Sequence, residues 1–515
     1  MSILRVENLS FSVGDRDILN HVSFRLLKGE HIALVGANGE GKSTFLSLVT
    51  NKLNPDEGKV DWAKNVKVGY LDQHAILEKG KTIKDILKTA FDDLFKAEER
   101  MMECYEKMAD ENSNSDELME EAGEIQDYLS VHGFYALDSQ IEEVSRALGI
   151  YDLGLDKDVT ALSGGQRTKI LLAKLLLEKP DILLLDEPTN YLDSEHIAWL
   201  KEYLKEYENA FILISHDISF LEGIINVVYH IEDAELYRYP GDYHHFEEVY
   251  AMKKAQNEAA YERQQKEIAE LKDFVARNKA RVATRNMAMS RQKKLDKMEL
   301  IEKRQEKPNA EFTFKNARTP GRVLFKTEDL VIGYEEALSR PIAFELERKE
   351  KVVFKGTNGI GKTTLLKSLL GLIKPINGSI EKDPYLEIGY FEQETVPSTN
   401  TCLEEIWKAF PILSQFEVRA ALAKCGLTTD HIESRISVLS GGEQAKVRLC
   451  KLMQQNANLL VLDEPTNHLD VASKEALKQA LIDYDGTILL VCHEDDFYKD
   501  FATRVVDCRE WSTRI

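Results

Sequence analysis

Apolar residues gather in short unbroken runs that stop at glycine-rich or acidic turns, and the same succession of runs occurs twice. His31 to Val35 leads into a glycine-rich turn, and Lys351 to Phe354 repeats the arrangement. Asp181 to Leu185 and Leu459 to Leu462 are leucine-rich runs tipped by paired acids, and Phe211 to Ser215 and Ile488 to Cys492 each precede a histidine. Runs this short and this apolar predict buried strands of a parallel sheet. Ser2 to Arg25 alternates instead and breaks at Gly14-Asp15, which reads as short strands opening a sheet. A helical period appears over Thr168 to Leu177 and between the halves, over Lys253 to Val275, with Ile268, Leu271, Phe274 and Val275 on one stripe. A second spacing, Leu295, Met298 and Ile301, follows. No glycine falls between Tyr250 and Asn309 and Pro308 is the first proline, so two long helices folded back on each other are predicted there.

The duplication sets the organisation: residues 1–246 and 319–515 are two similar α/β units, and 247–318 is a helical hairpin between them. The span from Gln73 to Ser163 is far longer than its counterpart from Gln393 to Ser440. The surplus predicts an inserted helical hairpin near 91–136, with Ser113-Asn114-Ser115 as its loop. That insertion is acidic, carrying Asp92, Asp93, Glu98, Glu99, Glu103 and Glu106 in its first part.

The turns carry chemistry. Gly36-Ala37-Asn38-Gly39-Glu40-Gly41-Lys42-Ser43-Thr44 and Gly356-Thr357-Asn358-Gly359-Ile360-Gly361-Lys362-Thr363-Thr364 are complete phosphate-binding loops between a strand and a helix. Glycines let backbone N–H groups curl around phosphate oxygens, and the helix N-terminus adds a favourable dipole. Lys42 and Lys362 would bridge the outer phosphates, and the Ser43 and Thr363 hydroxyls would ligate Mg²⁺. The strands ending at Asp186-Glu187 and Asp463-Glu464 place one acid for the metal and one to polarise a water for in-line attack. Leu162-Ser163-Gly164-Gly165-Gln166 and Leu439-Ser440-Gly441-Gly442-Glu443 each open a helix. Alone that turn is an ordinary helix start; recurring in order with the other motifs, it becomes specific.

Charge narrows the partners. The 515 residues sum to −21 with a pI near 5.2, so the whole molecule repels polyanions and any nucleic-acid contact must be local. The hairpin supplies one: Arg277, Lys279, Arg281, Arg285, Arg291, Lys293, Lys294 and Lys297 stand against a single acid, Asp296. A solvated spacer between domains is the competing reading of that stretch. Six scattered cysteines indicate neither a zinc site nor a disulfide framework. The N-terminus lacks the features of a secretion signal and no window has the apolar length of a membrane span, so a cytoplasmic protein is expected.

Phosphate loop, LSGGQ-like turn, acid-tipped strand, the Pro-Thr-Asn-aromatic-Leu-Asp segments (188–193, 465–470) and the terminal histidines His216 and His493 together resemble ATP-binding-cassette ATPases. Two cassettes joined by a charged helical linker resemble the ABC-F family of ribosome-associated ATPases, and the linker wording, FVARNKARVATRNMAMSRQKKLDKM, is most similar to YkpA/YbiT-like bacterial members. The resemblance implies two cassettes closing face to face on two ATPs in one chain, without a second subunit. One site would join the 36–44 loop, Gln73, Asp186, Glu187 and His216 to Ser440 and Gly442. The other would join the 356–364 loop, Gln393, Asp463, Glu464 and His493 to Ser163 and Gly165. It implies ATP hydrolysis to ADP and phosphate with Mg²⁺, held by Ser43, Asp186 and Gln73 or by Thr363, Asp463 and Gln393. It implies a 70S ribosome partner, with the basic tip in the E site near 23S rRNA and the P-site tRNA and the acidic arm on the L1 stalk side, and neither membrane nor DNA as partner. Tyr334 stands where a ring would stack on adenine; the first half has Val13 there, with Phe11 nearby. An antibiotic-resistance factor, a transporter ATPase and a DNA-repair ATPase are the competing functions.

Overall fold

The structure, a computed structural model of the chain, describes residues 2–14, 16–71, 80–108, 115–278, 285–298, 310–334, 336–392 and 398–513. The first half is built on a six-stranded sheet in the order Val68–Tyr70, Ile182–Asp186, Ala210–Ile214, His31–Val35, Val227–Glu232, Glu235–Pro240. Its neighbours are parallel except the last pair. The second half has five parallel strands in the matching order Ile388–Phe391, Leu459–Asp463, Thr487–Val491, Lys351–Lys355, Arg504–Asp507. In both, the strand leading to the histidine lies between the acid-tipped strand and the strand feeding the glycine turn. Register then does the rest: Asp186 pairs with Ile214 and Asp463 with Val491, so all three turns emerge at the same carboxyl edge.

The leucine runs show why they had to be apolar throughout. Ile182 and Leu184 pack with Phe45 and Leu46 of the helix after the glycine turn, while Leu183 and Leu185 point into the core shared with the helical part. Each half adds a small antiparallel sheet: Ser2–Val13 between Arg16–Leu27 and Glu57–Trp62, and Val323–Val331 between Glu345–Glu347 and Asn377–Lys382. Ser2 to Arg25 is therefore one hairpin of long strands rather than several short ones.

The inserted helices run over Asp92–Met108 and Ser115–Val131 and bury Met101, Cys104, Ala122 and Leu129 between them and the core. Arg100 ties them, donating to Glu121 at 2.7 Å. Ser115, expected in the loop, opens the second of these helices; Ser113 and Asn114 lie outside the described residues. The first linker helix spans Tyr243–Asn278, starting ahead of the expected Lys253 and of the 247 boundary. The Asp242 carboxylate accepts from the His245 N–H at 2.9 Å, a cap that composition alone does not reveal. Its root is aromatic: Phe246 is buried against Tyr239, Tyr243, Tyr250 and His230. The return helix, Arg285–Asp296, lies against it through Lys294 to Glu267 at 2.6 Å and the Arg291 guanidinium 3.6 Å from the Phe274 ring centre. Ala310 and Phe312 then enter the core of the second half. Among the described residues no helix is long and apolar enough to cross a membrane.

Candidate functional site

Each phosphate loop ends in a left-handed glycine, Gly41 (φ 95°) and Gly361 (φ 105°), that opens the helix Lys42–Val49 or Lys362–Leu369 without a side-chain cap. A Cβ at Gly41 would lie 2.5 Å from Ile18 Cγ2, so both space and conformation demand glycine. The first-turn N–H groups thus stay available to an anion. Lys42 Nζ folds over its own loop, donating to the Gly36 and Ala37 carbonyls at 2.8 and 2.9 Å. Lys362 Nζ does the same to Gly356 and Thr357 at 2.7 and 3.0 Å. Burial lowers the pKa of both ammonium groups, against the pull of nearby carboxylates.

Glu187 and Glu464 follow their strands in left-handed backbone conformations (φ 47° and 49°), a strained geometry for glutamate that recurs in both halves. The two surroundings differ. His493 Nε2 lies 3.2 Å from Glu464 Oε1 and 3.1 Å from Lys362 Nζ. Burial works to raise Glu464, yet His493 and Lys362 outweigh it and hold the carboxyl below its usual range. His216 instead donates from Nε2 to Asn38 Oδ1 at 2.8 Å and stands 3.6 Å from Glu187 Oε1. Burial pushes Glu187 up to about 8 and His216 down to about 3.

The halves meet face to face. Asn38 Nδ2 donates to the His468 carbonyl at 2.7 Å, and the Asn358 N–H to Asp193 Oδ2 at 3.4 Å, so each loop touches the other half's Leu-Asp segment. A Cβ at Gly442 would collide with the Asn38 amide and lie 2.5 Å from the His468 carbonyl oxygen. The second LSGG turn therefore sits on the first phosphate loop. A central cavity between the halves is lined by Glu187, His216, Glu464, His468 and His493. The helices Gly164–Glu178 and Gly441–Met453 begin at Ser163 and Ser440, whose hydroxyls accept from Gln166 and Glu443 N–H groups in capping boxes. This cap extends the first helix ahead of the expected Thr168, through both glycines.

Asp463 is fully buried, its carboxylate oxygens offered nothing beyond the nearby Thr363 side chain, and burial pushes its carboxyl up to about 7. A divalent cation would supply the charge partner that this buried carboxylate lacks, with the Thr363 hydroxyl alongside, so the residues fit Mg²⁺. Ser43 and Asp186 occupy the matching places in the first half. Gln73 and Gln393 lie outside the described residues. Tyr334 is 67 % exposed, free to present its ring, as is Val13 at 61 %; Phe11 is half-buried against the small sheet's core. In the hairpin, Lys279, Arg281 and the Arg285 side chain fall outside the described residues. Arg277 pairs with Asp273 at 2.9 Å, Arg291 and Lys294 brace the helices, and Lys293 is exposed.

Sequence reasoning passed over Lys446, which donates to Asp470 at 3.1 Å, and Lys169, whose charge acts on Asp193. Each stands at the same offset after its Ser-Gly-Gly turn, a signal the repeat carried. His468, where the first half has Tyr191, was also passed over.

A sequence profile described as "ABC transporter" matches residues 19–190 and 339–467, and a companion profile of the same description matches 229–314. The ABC transporter ATP-binding protein YfmM of Bacillus subtilis (strain 168) is 65 % identical, with 100 % of each chain covered. ABC transporter F family member 2 of Arabidopsis thaliana is 34 % identical over 98 % of this chain and 75 % of its own length. YheS of Escherichia coli (strain K12), a probable ATP-binding protein, is 31 % identical over 99 % and 81 %. Among solved structures, the archaeal ribosome recycling factor aABCE1, in complex with the stalk protein aP1, aligns over 97 % of this chain and 87 % of its own with TM-score 0.56 and 19 % identity, a likeness of fold. On identity sustained along its whole length, the chain belongs to the ABC family as a two-cassette ATP-binding protein of the F type.

Proposed function

We propose that this chain is an ATPase of the translation machinery. It closes on two ATPs and, closed, offers its basic hairpin to the E site of the 70S ribosome, against 23S rRNA and the P-site tRNA. The observation that carries this reading is the seating of Gly442 on the first phosphate loop, in a chain whose hairpin is rooted in one half and returns into the other. In each site the loop N–H groups and Lys42 or Lys362 bind phosphate, and the opposite half's Ser-Gly-Gly helix completes the anion pocket: Ser440 and Gly442 for the first, Ser163 and Gly165 for the second. Ser43 with Asp186, and Thr363 with Asp463, would hold Mg²⁺, assisted by Gln73 and Gln393; its charge would neutralise the phosphate oxygens. Glu464, and Glu187 in the ionised form that the Lys42 ammonium and a bound Mg²⁺ would favour against its burial, accept the proton of the attacking water, and His216 and His493 orient the outer phosphate. Turnover to ADP and phosphate removes the ligand that bridges the halves and lets them part.

Arg277, Lys279, Arg281, Arg285, Arg291, Lys293 and Lys294 make the hairpin a phosphate-backbone contact, and the acidic arm meets a basic protein on the L1 stalk side. This partner places the chain in the cytoplasm, working as a monomer. The wording of residues 274–298 supports a YkpA/YbiT-like placement within the family. An antibiotic-resistance role is the second reading; susceptibility of a deletion strain to ribosome-targeting drugs separates the two.

The test substitutes Glu187→Gln and Glu464→Gln together and sediments the full chain with 70S ribosomes and ATP. The chain is expected in the pellet with ATP and in the supernatant without it. A chain that stays in solution at low ionic strength overturns the reading.

A further inference from the structure

The two Ser-Gly-Gly helices differ at one buried position. The first cap uses Gln166, whose Oε1 accepts from the Ser163 N–H at 3.1 Å. The second uses Glu443, a buried carboxylate whose Oε2 accepts from the Ser440 N–H at 2.9 Å. A carboxylate is an odd choice there, because this turn faces a loop built for phosphate across the interface. Glu443 is among the groups whose charge acts on Lys42 of the opposite cassette.

The second cassette answers this with a histidine that the first lacks. His431 Nε2 lies 3.1 Å from Glu443 Oε1, both side chains nearly buried. The Thr428 N–H points at His431 Nδ1 from 3.4 Å, which leaves the hydrogen on Nε2 and makes the ring a donor to Glu443. The same offset upstream of Ser163 falls on Gly154, which has no side chain to offer. Glutamate backed by histidine in one half, and an uncharged glutamine in the other, are two solutions to the same cap.

We propose that His431 is a positioning residue for the first ATP site. It holds Glu443 in the cap and screens its charge, so that Ser440 and Gly442 can meet the phosphates bound by the loop at Gly36 to Thr44. Without it, a buried carboxylate with one donor removed faces a polyanion, which costs affinity at that site. The inference rests on the trans pairing of loop and turn proposed above.

The experiment is a cycle on the full chain with Mg²⁺-ATP: wild type, His431→Leu, Glu443→Gln and the double variant, with KM and kcat measured beside the affinity for a fluorescent ATP analogue. His431→Leu is expected to raise KM by ~10-fold, equivalent to about 1.4 kcal/mol, with kcat changed far less. The double variant, which recreates the charge state of the first cassette's cap, is expected to return KM to that of Glu443→Gln alone. The mirror variant Gln166→Glu, which installs a carboxylate in the cassette that has no histidine at that offset, is expected to raise KM even if His431→Leu does not fold. An unchanged KM in His431→Leu, or a double variant no better than His431→Leu, overturns the proposal, as does a normal KM in Gln166→Glu when His431→Leu is insoluble. Loss of thermal stability with KM intact reduces the pair to a helix cap and overturns it as well. A wild-type chain that binds the analogue but does not turn ATP over overturns the hydrolase reading instead, and the pair is then judged by the binding affinities.

Discussion

Asp470 performs two tasks with one carboxylate: Oδ1 accepts from the Ser473 N–H at 2.8 Å and starts a helix, while Oδ2 receives Lys446 from the Ser-Gly-Gly helix at 3.1 Å. Burial opposes its ionisation, but Lys446 and the cap prevail and its pKa is lowered. A lowered carboxylate adds stability that is fully present above its unfolded pKa of about 3.9 and is lost as pH falls through the folded value. Asp470→Asn keeps a helix cap and strands the Lys446 charge, so it is expected to destabilise the second cassette by about 3 kcal/mol at pH 7. Urea unfolding followed across pH should show that deficit shrinking below pH 4; a deficit independent of pH would assign the effect to the cap. At this scale the sequence was legible where the two halves agree. The lysines of both Ser-Gly-Gly helices could have been read from their common offset. His431 and the unlike partners of His216 and His493 could not, because they depend on which side chains the folding of each half brings together, and His468 could not because its partners Asn38 and Asn190 lie in the opposite half.

At the level of elements, the hairpin divides its cations between bracing and display. Arg291 lies on the Phe274 ring and Lys294 on Glu267, both bridging the two helices. Arg277→Glu with Lys279→Glu, Arg281→Glu and Arg285→Glu is expected to abolish ATP-stabilised ribosome pelleting with the cassettes' unfolding unchanged. Lys293→Glu alone should reduce the slope of log affinity against log salt by about 1. Arg291→Ala, by contrast, is expected to loosen the hairpin through a lost cation–π contact of about 1 kcal/mol, seen as faster amide exchange over 264–278. The six core strands with unbroken apolar runs were readable almost to the residue, since such runs leave little choice, whereas the alternating stretch from Ser2 to Arg25 reads as short strands and folds as two long ones. Helix starts were not: Ser163 caps a helix through two glycines, and Asp242 starts one well before its apolar stripe begins. Cap geometry overrode composition in both cases.

For the molecule as a whole, Gly442 is a tight point of contact where the halves meet. A methyl group there would meet the Asn38 side chain of the opposite half and, at 2.5 Å, the His468 backbone oxygen of its own half, which cannot swing aside as a side chain can. Gly442→Ala is expected to displace Asn38 across the interface and lower ATP turnover about 100-fold, and also to lower the melting temperature of the second cassette, where the His468 clash lies. Gly441→Ala, whose Cβ would meet the His468 side chain, nearest at 3.1 Å, should be milder. Equal effects of the two would place the constraint elsewhere. The duplication made the two-cassette plan visible before any coordinates, and the loop-to-turn pairing followed from resemblance. What the sequence withheld was the unlike hydrogen bonding of His216 and His493, which arises from side-chain placement within each half.

The aromatic seat of Phe246 and Tyr250, with the Tyr250 hydroxyl donating to Glu232 at 2.6 Å, welds the first linker helix to the last strands of the first cassette. A helix of 36 residues is roughly 54 Å long at 1.5 Å per residue. With so stiff a mounting, a turn of that cassette by about 10° would sweep the far end through ~9 Å, more than a nucleotide's width of travel from a small angular change at the base.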